Sequence, residues 1–93
     1  MGKKLAKLKK DWLREPDFRA EYEAQESEFA VARALVRARV RASLTQAQLA
    51  ARMGTTQSAV ARMESGRHMP SMKTIRRYAE ATGSRVRFDL VPT

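Results

Sequence analysis

The sequence contains no cysteine, which excludes disulfides and thiolate metal sites. It contains one histidine, His68, and a lone histidine is far more often a surface or phosphate-facing group than a metal ligand. Apolar runs reach only three or four residues, far below the ~20 that a membrane-spanning helix needs. The first ten residues are basic, but no apolar stretch follows them as it would in a secretory signal. We therefore expect no metal, no cofactor, no membrane span and a cytoplasmic location.

The groups that enzymes use for catalysis are equally scarce. No nucleophile–base pair can be picked out, and no glycine-rich loop is present to hold a phosphate group. Gly54, Gly66 and Gly83 each fall where a predicted helix ends, which is a structural use of glycine. Seven of the ten acidic residues precede residue 29 and the other three are scattered. We therefore do not expect an enzyme.

The positive charge is abundant and unevenly placed. The formal net charge is +9. Residues 1–29 contain seven basic and seven acidic residues, whereas residues 30–93 contain twelve basic residues, eleven of them arginine, against three acids. A basic domain attracts polyanions, because each phosphate that it neutralises releases a counterion. Charge alone leaves three interpretations open: nucleic-acid binding, attraction to a membrane surface, or a solubilising surface.

The chain has the length of one small domain, and its pattern changes near Ser27. We predict an N-terminal helical arm over residues 1–26, a central helical domain over residues 27–84 and a C-terminal strand over residues 85–93. The arm would contain a helix at Lys3–Arg14 and a shorter one at Asp17–Gln25, interrupted at Pro16. Its apolar side chains are Leu5, Leu8, Trp12, Leu13, Phe18 and Tyr22.

The middle of the chain predicts a core of four helices in a mainly α fold. Their ranges are Glu28–Ala42, Thr45–Met53, Gln57–Glu64 and Pro70–Thr82. The first would begin with Ser27 as its N-cap. We expect its apolar face to consist of Phe29, Ala32, Leu35, Val36 and Val40.

The start signals of the next two helices are stronger. Thr45 and Gln48 have the spacing of a capping box, and Gly54 can supply the left-handed residue that ends a helix. Thr56 can cap the helix that follows. Two short helices joined by a tight glycine turn are typical of a helix-turn-helix.

The last residues alternate in polarity as a β-strand does. Val86, Phe88 and Leu90 would share one face, with charged residues on the other. A lone strand leaves its backbone groups unpaired, so it needs a partner strand from a second molecule, either the same chain in a dimer or another protein. Helical continuation or fraying is the alternative.

The second helix of the predicted helix-turn-helix has an outer face suited to reading DNA bases. Its outward positions are Gln57, Ser58, Ala61 and Arg62. Glutamine can bond adenine bidentately, arginine can bond guanine bidentately, and serine can bond either base. A helix made only for packing would more often carry glutamate or lysine there. Together with the turn and the arginine excess, this face favours sequence-specific DNA binding.

Residues 45–66 resemble the helix-turn-helix of the lambdoid phage repressor (Xre-like) family. The resemblance implies base contacts by Gln57, Ser58 and Arg62. It implies phosphate contacts by a second group of residues, Gln46, Thr55, Thr56, Ser65 and Arg67. It also implies a structural ion pair between Arg39 and Glu64, and a homodimer that reads a palindromic operator with half-sites about 34 Å apart.

Lys10–Glu23 and Glu28–Leu35 resemble the lead-in of HigA-type antitoxins. That resemblance implies a RelE/HigB-like ribonuclease toxin as a partner, bound by the six apolar residues of the arm, and repression of the chain's own operon. Trp12 and Tyr22 are residue types that anchor interfaces. The alternative function is a free-standing Xre-family repressor with no toxin. The arm could also fold back on its own domain or lie on a membrane surface.

Overall fold

A computed structural model of the chain describes residues 16–93, and their side chains from Ser27 onward. Four helices follow one another: α1 at Pro16–Arg41, α2 at Gln46–Met53, α3 at Gln57–Met63 and α4 at Met72–Ala81. The prediction of a mainly helical fold is confirmed. None of the helices among the described residues is long and apolar enough to cross a membrane.

Helix α1 is a single helix of 26 residues, and the predicted break at Ser27 is wrong. Residues 17–41 contain no glycine or proline and are rich in alanine, glutamate and arginine, so nothing interrupts the helical hydrogen bonds between the two predicted segments. Ser27 therefore lies inside α1 and is not an N-cap. Pro16 is the first residue of α1, a position where the missing N–H of proline costs nothing. The predicted helix at Lys3–Arg14 lies outside the described residues.

The core forms where α1, α2 and α4 meet around α3. Its buried members are Leu35, Ala38, Leu49, Ala50, Met53, Val60 and Tyr78. The face of α1 that we predicted is partly wrong, because Phe29 is 44% exposed and Val40 is 61% exposed. Helix α1 instead buries Ala32, Leu35 and Ala38, whose three-residue spacing follows the side that packs on α4. The small alanines let the helices approach closely.

Each of the three shorter helices begins at a side-chain cap. Thr45 and Gln48 form the predicted capping box, with Gln48 N donating to Thr45 Oγ1 over 3.1 Å and Thr45 N donating to Gln48 Oε1 over 2.9 Å. Thr56 accepts from Ala59 N over 3.1 Å. At α4, Ser71 accepts from Thr74 N, also over 3.1 Å. These caps satisfy orphan N–H groups and fix where each helix starts.

The C-terminal residues after Gly83 have neither helix nor strand in the described chain. A strand is held by hydrogen bonds to a neighbouring strand, and residues 16–93 contain no such neighbour for this segment. Val86 is half-buried, whereas Phe88 and Leu90 are 71% and 87% exposed. The dimerisation strand at residues 85–93 and the division into three segments stay predictions.

Candidate nucleic-acid interface

The turn between α2 and α3 is closed by backbone hydrogen bonds. Gly54 has φ of +66°, in the left-handed region that favours glycine, and its N–H donates to Ala51 O over 3.2 Å. Thr55 N donates to Ala50 O over 2.9 Å. Leu49 on α2 and Val60 on α3 are fully buried, so one side of each helix is anchored in the core. The turn and the core together orient the opposite side of α3 toward solvent.

The outer side of α3 presents the predicted base-reading residues. Gln57, Ser58, Ala61 and Arg62 are all exposed, whereas Val60 between them is buried. In the described part of the chain, the side chains of Gln57, Ser58 and Arg62 make no hydrogen bond or ion pair. Their donors and acceptors are therefore available to a ligand. A major groove about 12 Å wide admits a helix of this kind.

Two of the predicted phosphate-contact residues, Thr56 and Ser65, differ in whether the hydroxyl proton is free to donate a hydrogen bond. Thr56 Oγ1 accepts from Ala59 N, which leaves its own proton free to donate. Ser65 Oγ donates to Arg62 O over 2.7 Å and accepts from Arg67 N over 3.2 Å. Because phosphate oxygens accept hydrogen bonds, a serine whose proton is already used cannot donate to them in this rotamer. Ser65 therefore holds the loop that presents Arg67.

Thr55 and Arg67 occupy opposite ends of α3. Thr55 is half-buried in the turn before the helix, and Arg67 is exposed in the loop after it. His68 is exposed next to Arg67. Thr55 and Arg67 therefore lie on either side of α3 along the chain.

The loop after α3 requires a glycine at position 66 for two reasons. The φ of Gly66 is +74°, and a Cβ added there would lie 2.8 Å from Cε1 of the Phe29 ring. The ring of Phe29, which we had predicted in the core of α1, packs instead on the backbone of the loop after α3. The sequence signal for this contact was absent, because it joins residues 37 positions apart.

Arg39 and Glu64, which we predicted to form an ion pair, lie together at the base of the interface. Arg39 Nε donates to Glu64 Oε2 over 2.8 Å, and Arg39 Nη2 donates to Glu64 Oε1 over 2.9 Å. Tyr78 Oη lies 2.7 Å from Glu64 Oε2 and 2.8 Å from Leu35 O. Gln46 Nε2 donates to Glu64 Oε1 over 3.2 Å. The carboxylate thus joins α1, α2 and α4 at the end of α3.

Hydrogen bonding keeps this cluster ionised. Burial raises the pKa of Glu64, but hydrogen bonds from Arg39, Tyr78 and Gln46 outweigh it, so the net pKa is lowered. The hydrogen bond to Glu64 raises the pKa of Arg39. Burial, together with the neighbouring carboxylate, raises the pKa of Tyr78. At neutral pH the pair is therefore charged and the phenol is neutral.

Two further arginines donate to carbonyl groups at the C-terminal ends of α2 and α4. Arg52 of α2 donates to Ala81 O at the end of α4 over 3.3 Å, and Arg77 of α4 donates to Met53 O at the end of α2 over 2.7 Å. Cations near helix C-termini satisfy orphan carbonyl groups and interact favourably with the helix dipole. Part of the arginine excess is therefore structural, and it should not all be assigned to DNA.

The predicted toxin-binding residues lie only partly within the described residues. Leu5, Leu8, Trp12 and Leu13 lie outside the described residues, whereas Phe18 and Tyr22 lie within α1. The described part of the chain contains no group of acidic or histidine side chains that could hold a metal ion.

Comparison with known proteins gives a family and no individual relative. No curated protein matches the chain, and no solved structure matches it. A family model described as Helix-turn-helix (HTH_3) matches residues 35–88, which is more than half of the chain and includes α2, α3 and α4. The helix-turn-helix geometry and this match agree, and the chain belongs to the HTH_3 helix-turn-helix family, a DNA-binding regulator fold.

Proposed function

We propose that the chain is a sequence-specific regulator that reads bases in the major groove with Gln57, Ser58 and Arg62. The observation that carries this proposal is the outer face of α3, where these three polar side chains are exposed and make no hydrogen bond within the described residues. Glutamine fits adenine, arginine fits guanine, and serine fits either base.

Backbone contacts would fix the position of α3 on the duplex. We assign phosphate contacts to Gln46, Thr55, Thr56 and Arg67. Thr55 and Thr56 precede α3, Arg67 follows it, and Gln46 bonds Glu64 at its end. Ser65 joins this set through the loop that it holds, because its hydroxyl bonds both Arg62 O and Arg67 N. Such contacts add affinity for every DNA sequence but do not discriminate between sequences.

A second copy of the chain would pair with the first through the C-terminal residues. Phe88 and Leu90 are apolar and highly exposed, and Val86 shares their side of an alternating segment. Pairing two such segments would satisfy their backbone groups and bury this apolar face. Two recognition helices would then read a palindromic operator with half-sites about one turn apart.

The finer proposal is that this regulator is an antitoxin. The segment 10–23 resembles the lead-in of HigA-type antitoxins, and it runs into α1, which joins the arm directly to the DNA-binding core. A RelE/HigB-like toxin would bind the apolar residues of the arm. The alternative is a free-standing repressor in which the same residues pack on the chain's own domain.

Two measurements test these proposals in order. Selection of bound duplexes from a random pool should yield one palindromic sequence, and enrichment of no sequence would contradict sequence-specific DNA binding.

The native mass of the full chain purified from its source cells should then include a small second protein. That protein should be lost when Trp12→Asp is introduced, with Lys7→Ala as the control in the same arm. Homodimers alone in every case would favour the free-standing repressor.

A further inference from the structure

We infer that Glu64 is a positioning residue for DNA binding, because it holds the side chain of Gln46 in the orientation that contacts the DNA backbone. The inference rests on the proposed function and extends it. It couples the buried ion pair of the fold to a contact made at the surface.

The carboxylate of Glu64 is surrounded by four donors. Oε1 receives hydrogen bonds from Arg39 Nη2 and Gln46 Nε2, and Oε2 receives them from Arg39 Nε and Tyr78 Oη. A carboxylate has about four acceptor sites, so this one is saturated. Three of the donors come from Arg39 and Tyr78, which belong to the interior, and the fourth comes from Gln46.

Gln46 differs from the other partners in its place in the fold. It is half-buried and is the first residue of α2, directly after the N-cap Thr45. Its amide nitrogen carries two hydrogens, of which Glu64 takes one. Because the amide oxygen is repelled by the carboxylate, the amide cannot flip without losing this bond. The second N–H is therefore held in a fixed orientation beside the start of α2, where backbone N–H groups also face solvent.

A fixed donor binds more tightly than a mobile one. A glutamine has a long side chain whose rotamers must be frozen when it contacts a phosphate, and each immobilised side chain of this kind weakens binding. Glu64 freezes Gln46 in the free protein. Removing the carboxylate should therefore weaken binding to every DNA sequence by about three- to tenfold, without changing which sequence is preferred.

The test is a double-mutant cycle on full-length chain, read by fluorescence anisotropy with a labelled random duplex of about 20 base pairs at low salt. Glu64→Leu leaves no acceptor for Gln46 Nε2, so it should weaken binding in the wild-type background and have no further effect in Gln46→Ala. Tyr78→Phe is the matched control, since it removes another bond to the same carboxylate on the Oε2 side and should leave affinity unchanged. An equal loss from Glu64→Leu in both backgrounds would overturn the inference.

Circular dichroism at the temperature of the binding measurement checks that each variant is folded. If Glu64→Leu alone is unfolded because Arg39 is left without its partner, Arg39→Met is added to it, which removes the charge at both sites. The same cycle with Gln46→Ala then applies, and the same outcomes confirm or overturn it.

A measurement without DNA separates this inference from the proposed function. In an acid titration followed by ¹H–¹⁵N NMR, the side-chain amide signals of Gln46 should shift as Glu64 becomes protonated. Amide signals that stay constant through that titration would overturn the positioning role. If the Gln46 signals follow Glu64 but the chain binds no duplex, the proposed function fails and the internal coupling stands.

Discussion

The segment from α2 through α3 and the segment after Gly83 differ in how their backbones are held. Between Thr45 and Gly66 each helix has a side-chain cap at its start, the turn is closed by Gly54, and the end of α3 is held by Ser65. After Ser84 the chain has no helix or strand in the described part, and Phe88, Leu90 and Val91 are exposed whereas Val86 is half-buried. The first segment can display α3 in a single copy. For the second segment we propose contacts with a second copy of the chain.

The largest expected effect comes from a substitution in the segment after Gly83. Phe88→Asp should abolish the dimer and weaken operator binding by about 100-fold or more, because two linked half-sites bind far more tightly than one. The helical fold of each separate copy should persist, since Phe88 is 71% exposed in the single chain. Sedimentation equilibrium measures the dimer mass, and operator titration measures the affinity for DNA. Val40→Asp, at a residue 61% exposed on α1, is the matched control. A dimer mass that survives Phe88→Asp would remove these residues from the interface.

The next effect concerns acid stability of the first segment. The pKa of Glu64 in the folded chain is below its ordinary value of 4.5. The free energy of unfolding contributed by Glu64 is therefore fully present above that ordinary value, and it is lost as the pH falls through the lower folded pKa. Thermal melts from pH 7 to pH 2 should show wild type falling toward Glu64→Gln as acid is added.

Other carboxylates protonate in the same pH range, so the difference between the two proteins is the relevant quantity. Glu64→Gln shares every other acid and cannot itself ionise. A difference in melting temperature that is constant across the whole pH range would contradict the assignment to Glu64. The exposed pair Arg87–Asp89 should contribute nothing measurable, because both side chains are in solvent.

A third prediction distinguishes a base contact from a phosphate contact around α3. Arg62→Ala should weaken binding to the selected operator by about 1–3 kcal/mol and relax the preference at one base pair. Arg67→Ala should weaken binding to all duplexes alike and reduce the dependence of log affinity on log salt by about one unit. Titrations of both variants at several salt concentrations, on operator and on random duplex, distinguish the two roles. A changed base preference in Arg67→Ala would reverse the assignment of that residue.

The same contrast explains what could be predicted from sequence. The caps at Thr45 and Thr56 and the turn at Gly54 depend on residues three to five positions apart, so their spacing was sufficient to place α2 and α3. Ser27 failed as a cap because local spacing does not show whether a preceding helix continues through the site. The bonds that Gln46 and Tyr78 make to Glu64 join residues 18 and 14 positions apart. Local spacing does not reveal contacts of that range, and the Arg39–Glu64 pair, 25 positions apart, was predicted only through the family resemblance.

The exposure of the Phe29 ring could not be predicted from local spacing either. Apolar periodicity gave α1 a face that included Phe29, Val36 and Val40, but periodicity alone cannot choose between two overlapping faces of a helix. The choice is made by the alanines at 32 and 38, which permit close packing on α4. Phe29 then covers Gly66 across the end of α3.

The smallest expected effect is at the cap of α2. Thr45→Ala removes the acceptor for Gln48 N, and N-cap substitutions of this kind cost about 1 kcal/mol of stability. Because α2 has only eight residues, the loss should also reach Gln46 and weaken DNA binding slightly, with no change in sequence preference. Thr45→Ser keeps the acceptor and is the control. Urea unfolding and binding to random duplex measure the two effects. A Thr45→Ser variant as weak as Thr45→Ala in both assays would show that the methyl group of Thr45, rather than its hydroxyl, supports the start of α2.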